Sequence, residues 1–150
     1  MTFVATEEEK AQALREAKEQ NLRLDTADTS VDPLTEERQI QSKYVGFLGE
    51  IVFCNRLHWQ RNYPPQFDQC DAIGSMGRIE IKTRTKHFSP ILVRECDFAV
   101  LLHYFKNEKG KECIALVKFY SRNYLEGHKW KIWITEKFWN YYLSLSLTPS

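Results

Sequence analysis

No stretch of this chain approaches the roughly 18 consecutive apolar residues that a membrane-spanning helix needs. The N-terminus, Met1 to Lys10, has neither the basic start nor the apolar core of a secretion signal, and the expected address is the cytoplasm with no membrane partner. The four cysteines, Cys54, Cys70, Cys96 and Cys113, show no CxxC spacing, which disfavours a zinc site or a redox pair; without a secretion signal they read as reduced, buried thiols. The four histidines, His58, His87, His103 and His128, lack a metal-binding spacing such as HExxH. Repeats, low-complexity tracts and an evident linker are also missing. What remains is 150 residues, 43% hydrophobic and 13% aromatic, enough for a single domain with a real core.

The net charge of +1 gives no hint of a polyanionic partner. Its distribution does. Residues 1–75 hold 8 Lys and Arg against 13 Asp and Glu, a balance of −5, whereas residues 76–150 hold 13 against 7, a balance of +6. Arg78, Lys82, Arg84, Lys86 and Arg94 fall close together in the positive half, a pointer to phosphate.

The patterning predicts a helix over 6–22, acidic in its first turn, whose thin apolar face (Ala11, Leu14, Ala17, Leu22) suits the periphery or a partner. A loop follows over 23–32. Asp32-Pro33 supplies an N-cap and an N1 proline for a long helix to about Leu57. Strands are expected around 71–84, at 98–105 and 113–119 with a turn at 107–110, and at 129–134. Thr135 caps a last helix to about Leu145. The fold class is α/β, a mixed sheet of about five strands flanked by helices.

The most informative stretch is Asp71-Ala-Ile-Gly-Ser-Met-Gly-Arg-Ile-Glu80-Ile-Lys82. It parses as a hairpin around Gly74-Ser-Met-Gly77. Pairing 74 with 77 also pairs 73 with 78, and continuing the ladder sets Asp71 opposite Glu80. Facing side chains in such a pair have Cβ atoms roughly 4.5–5.5 Å apart, so two carboxylates would repel there unless something positive sat between them. Alternation sends Arg78, Glu80, Lys82 and Arg84 to one face and Ile79, Ile81 and Thr83 to the other. Lys82 then stands about 6.6 Å beyond Glu80. Two acids and a lysine in this arrangement suit metal-assisted attack on a phosphodiester.

A second site lies on the long helix. Tyr44 to Cys54 carries one charge, Glu50, in eleven residues, so this segment is expected to be buried. Gly46 and Gly49 share a stripe with Glu50, at a cost of roughly 1 kcal/mol each relative to alanine. Their expected return is close approach of helix to sheet where Glu50 projects. A buried carboxylate needs a cation or donors nearby.

A helix Glu, an Asp at a hairpin and Glu-x-Lys on the next strand together resemble the PD-(D/E)xK nuclease superfamily, the restriction-endonuclease-like fold. The matching positions are Glu50, Asp71, Glu80 and Lys82, with Ile81 at x and Cys70 where the motif's proline would stand. The resemblance implies a single nuclease domain over 1–150 and a metal-dependent endonuclease acting on DNA, with site-specific cleavage of restriction or homing type favoured over junction resolution or repair. It implies Mg²⁺, replaceable by Mn²⁺, on Asp71, Glu80 and the Ile81 carbonyl, with Glu50 holding a second metal or a water. Lys82 would act at the attacking water or the phosphate. Arg78, Arg84 and Lys86 are the candidate nucleic-acid contacts, and a homodimer or higher oligomer would cut two strands.

Two other readings stand beside it. One is a binding module of the same fold without catalysis, against which the intact acid–acid–lysine set argues. The other is a surface salt-bridge hairpin of purely structural use, which requires Glu50 to be exposed and distant from the hairpin. His103, inside an apolar strand, is expected to be a core histidine, and Trp130, Trp133 and Trp139 core or interface aromatics.

Overall fold

The computed structural model describes residues 1–24, 33–66, 69–86 and 90–146. In chain order the elements are β1 (Thr2–Val4), α1 (Glu7–Leu24), α2 (Pro33–Leu57), β2 (Gln60–Arg61), β3 (Ala72–Gly74), β4 (Gly77–Arg84), β5 (Ile91–Leu92), β6 (Phe98–Lys106), β7 (Glu112–Ser121), α3 (Arg122–Gly127), β8 (Lys131–Ile132) and α4 (Glu136–Ser146). The class is α/β, and the main sheet is mixed. It has six strands in the order β1-β7-β6-β4-β3-β2, and β5 and β8 form a separate two-stranded sheet. Within the main sheet β4 and β6 run parallel, and the other pairs are antiparallel.

The helix starts follow from local chemistry. Thr6 and Glu9 close a reciprocal capping box: the Glu9 amide donates to Thr6 Oγ1 at 3.1 Å and the Thr6 amide to Glu9 Oε1 at 2.9 Å. Helix α2 spans the expected range, while its proposed Asp32 cap lies outside the described residues. At α4 the Phe138 amide donates to Thr135 Oγ1 at 3.0 Å, as its sequence suggests.

Strand β6 is buried along nearly its whole length because the sheet is covered on both faces. Phe98, Val100, Leu102 and Tyr104 join Leu48, Val52 and Phe53 of α2 and Ala13 and Ala17 of α1 in one core. Ala99 and Leu101 point the other way, to Leu125, Ile132, Ile134 and Trp139 in a second core. His103 belongs to that side: it is 6% exposed, its Nδ1 lies 3.2 Å from the Tyr142 hydroxyl, and burial lowers its pKa to about 4. It is a core histidine. All four cysteines are buried free thiols.

The two-residue strands β2 and β5 were not expected, being too short to show alternation, and three further elements differ for a tertiary reason. The three-residue β1 has too little alternation to read and exists by pairing Thr2–Val4 with Cys113–Ala115 at the sheet edge. Helix α3 stands where a connection was expected, with Ser121 accepting from the Tyr124 amide. The alternating 129–134 segment yields only the two residues of β8, because Lys129 and Trp130 turn through the left-handed region (φ 56° and 57°) and Ile132 then pairs with Ile91 instead of joining the main sheet.

Candidate active site

The hairpin has the expected register, with Ala72 opposite Ile79, Ile73 opposite Arg78 and Gly74 opposite Gly77. Ser75 and Met76 form the two-residue loop, and Gly77 takes φ +114°, a conformation that side chains rarely adopt. β3 ends at Ala72, so Asp71 leaves the ladder and turns its carboxylate into the edge that β4 exposes there. Asp71 Oδ2 accepts from the Ile81 amide at 2.7 Å, and the Asp71 amide donates to Glu80 Oε1 at 3.2 Å. The Asp71 carbonyl accepts from the Asn62 amide at 2.9 Å, which fixes the turn from the β2 side. Glu80 therefore holds the Asp71 backbone, and Asp71 holds the backbone of Ile81, the next residue along β4. Lys82 Nζ stands 3.5 Å from Glu80 Oε2; the lysine side chain is 25% exposed and that of Glu80 only 5%.

Glu50 comes to this edge from the helix layer. Helix α2 packs on the face carrying Ile79, Ile81 and Thr83, and Gly49 is what lets it close in: a Cβ there would meet Thr83 Oγ1 at 1.9 Å. Gly46 behaves differently, since a Cβ at Gly46 meets nothing within 4 Å, so close approach explains one of the two glycines. The Glu50 side chain is 14% exposed, and its Oε1 accepts from Arg61 Nε at 3.3 Å. Arg61 extends the network to α1, with Nη1 2.9 Å from Glu16 Oε2 and Nη2 2.6 Å from Glu16 Oε1. Its guanidinium lies 5.4 Å from the Phe47 ring centre and 4.8 Å from that of Tyr63.

The carboxyl groups share one electrostatic condition. Burial, then the charge of Asp71, pushes Glu50 up to about 8, with Arg61 opposing. Burial likewise raises Asp71, against the Ile81 amide and the charges of Lys82, Arg94 and Arg61. Burial and then Asp71 raise Glu80, against Lys82 and Arg94. Burial leads in all three, so a cation bound here would offset the cost of holding the carboxylates charged out of water. Among the described residues no three His, Cys, Asp or Glu side chains form a ready-made cage for an ion. Mg²⁺ asks for less, since one or two carboxylates suffice when waters and substrate phosphate complete its octahedron. Asp71 and Glu80 fit that requirement. The Ile81 carbonyl leaves the strand on the same edge as the amide that Asp71 holds.

The basic candidates separate. Arg78, at the hairpin end, pairs with Asp97 (Nε to Oδ2, 3.5 Å), and the six steps from it to Arg84 span about 20 Å of strand. Arg84 is half-buried; its Nη1 donates to the Thr83 carbonyl at 2.9 Å, and burial alone lowers its pKa. Arg84 and Lys86 line one cleft. His87 lies outside the described residues. Trp139 is 1% exposed, whereas Trp133 is 59% exposed.

Sequence reading missed two participants, Glu16 and Arg61, and named Arg94 only as one of the basic cluster. Glu9, Ala13, Glu16 and Ala17 share one buried stripe of α1 at helical spacing, a signal that Glu16 faces inward. Arg61 carries no such signal, because it reaches the site through the pairing of β2 with β3. Comparison of the chain with protein-family models, curated proteins and solved structures finds no match.

Proposed function

We propose that this protein is a Mg²⁺-dependent endonuclease hydrolysing DNA phosphodiester bonds, with a core of the restriction-endonuclease-like, PD-(D/E)xK kind. The observation that carries the reading is the hydrogen-bonded Asp71–Glu80 pair, with Lys82 at 3.5 Å from Glu80 and Glu50 arriving over the same strand edge. A structural salt-bridge hairpin needs none of this: it has no use for a Glu50 that is buried and raised by the charge of Asp71.

Asp71 and Glu80 are the metal-holding carboxylates, with the Ile81 carbonyl beside them. Mg²⁺, when bound, polarises the scissile phosphate and acidifies a water. The Ile81 amide holds Asp71 Oδ2 in one orientation, so this carboxylate is positioned before any ligand arrives. Lys82 reaches furthest toward solvent, and its ammonium orients the attacking water or a phosphate oxygen. Glu50, tied to Arg61, holds a water at the inner edge. Site-specific cleavage by a homodimer is the form of the activity this reading favours, two copies serving the two strands.

The test is cleavage of duplex DNA with and without Mg²⁺ by the parent, Asp71→Asn and Glu80→Gln proteins, with single-stranded, branched and RNA substrates in parallel. Loss of cleavage with retained or tighter binding in both variants is the expected result, because phosphate no longer meets the same carboxylate charge. Binding without cleavage by the parent would leave a binding module of this fold. Unchanged cleavage by Asp71→Asn would remove the proposed metal pair.

A further inference from the structure

Beyond the carboxylates, the seam between α2 and β4 opens into a cleft of about 600 Å³. Its walls include Arg38, Gln41, Ser42 and Gly46 of α2 facing Arg84 and Lys86. No acidic side chain and no aromatic ring lines it among the described residues. Arg84 projects here half-buried, bonded to the carbonyl of its own neighbour, and no carboxylate is among the influences on its charge. A guanidinium keeps its charge and has five N–H donors to satisfy, so this one is suited to an incoming anion.

The cleft is continuous with the site. Residues 38–46 recede from Glu50 along α2 while residues 84–86 lead away from Lys82 over the end of β4, because Gly49 packs on Thr83 and sets the two elements side by side. Gly46 is about 6 Å from Glu50 by helical rise, and Arg84 is about 6.6 Å from Lys82 by strand rise. A Cβ at Gly46 would meet nothing within 4 Å, so the cleft is open beside this residue.

We propose that the cleft between residues 38–46 of α2 and residues 84–86 is the track for the sugar–phosphate backbone of one nucleic-acid strand leading to Lys82. This rests on the nuclease reading and adds to it the path of the substrate and one participant, Arg38. The cations and neutral donors that line it are phosphate-binding groups, and contacts of that kind are independent of sequence. Gln41 and Ser42 supply neutral donors alongside the cations.

The test is fluorescence anisotropy of a labelled mixed-sequence DNA duplex and of a labelled single strand, in Ca²⁺ to hold cleavage off, over a series of salt concentrations. The proteins are the parent, Gly46→Glu, Gly46→Ala and Arg84→Gln, each checked by circular dichroism and melting. Gly46→Glu sets a carboxylate in the cleft without touching the core, and it and Arg84→Gln are expected to weaken binding about tenfold, with the salt slope of Arg84→Gln falling by about one. Gly46→Ala should bind within about twofold of the parent, as expected for a methyl group that meets nothing. Parent-like binding by folded Gly46→Glu and Arg84→Gln would overturn the track and leave the nuclease reading intact. Absence of binding by the parent would overturn both. Cleft-dependent binding with no cleavage in Mg²⁺ would uphold the track and remove the hydrolytic role.

Discussion

Arg61 Nε stands 3.3 Å from Glu50 Oε1, so the helix carboxylate of the site is shared with a fixed cation that Glu16 holds from the other side. The guanidinium gives Glu16 two contacts and Glu50 one, and burial followed by the charge of Asp71 raises Glu50 to about 8. An acid whose pKa is raised on folding keeps a proton that the unfolded chain has released. Between about 4.5 and 8 the folded chain binds more protons, so this group makes stability fall as pH rises across that window.

Glu50→Gln, which mimics the protonated acid, is therefore expected to melt like the parent near pH 5 and above it near pH 8. Thermal melting across the pH range reads this directly. Identical pH profiles for the two proteins would show that Glu50 titrates at its ordinary value.

Lys82 and Arg84 share a strand face but have different tasks. Lys82→Ala should lower the single-turnover rate at saturating enzyme far more than it lowers affinity, as for a group acting chiefly in the transition state. Arg84→Ala should cut affinity on all sequences alike and leave the saturated rate near the parent's. The reverse pattern would move the catalytic lysine's role two residues along the strand.

The two glycines of α2 should respond oppositely to alanine. Gly49→Ala forces a methyl group into Thr83 Oγ1 at 1.9 Å and should cost at least about 1–3 kcal/mol, as overpacking does. Gly46→Ala meets open space and should stabilise by up to about 1 kcal/mol through helix propensity. Denaturant unfolding of both variants measures the contrast, and equal effects would contradict the packing described.

His103 gives the acid limb of stability. Its folded pKa of about 4 lies below its ordinary 6.5, so the unfolded chain binds the extra proton between those values, and stability is lost as pH falls from 6.5 toward 4. His103→Phe removes that slope at a pH-independent cost of about 1 kcal/mol for the hydrogen bond to Tyr142. The difference in melting temperature between parent and variant should narrow on acidification; a constant difference would mean that the histidine is charged when folded.

The hairpin register was legible because a two-residue loop between Gly74 and Gly77 leaves one pairing, and a period-two strand then assigns every following side chain to a face. Helix α2 was legible because eleven residues with one charge can lie only in an interior. The last helix and the two long strands β6 and β7 followed from caps and apolar runs of sufficient length.

What local sequence determined, then, was the identity and order of the four motif residues, since each depends on neighbours within a few positions. Tertiary structure alone decided that Asp71 would leave the ladder and bond the Ile81 amide, because the end of β3 depends on where β2 stops covering it. It alone brought Glu16 and Arg61 to Glu50, 34 and 11 residues away in the chain, through helix packing and a two-residue edge strand that carry no periodic signal. The cleft beside Arg84 has the same origin: its walls are two elements that meet only because Gly49 lets a helix touch Thr83. Periodicity assigns a residue to a face, but which faces meet is fixed by burial summed over the whole chain.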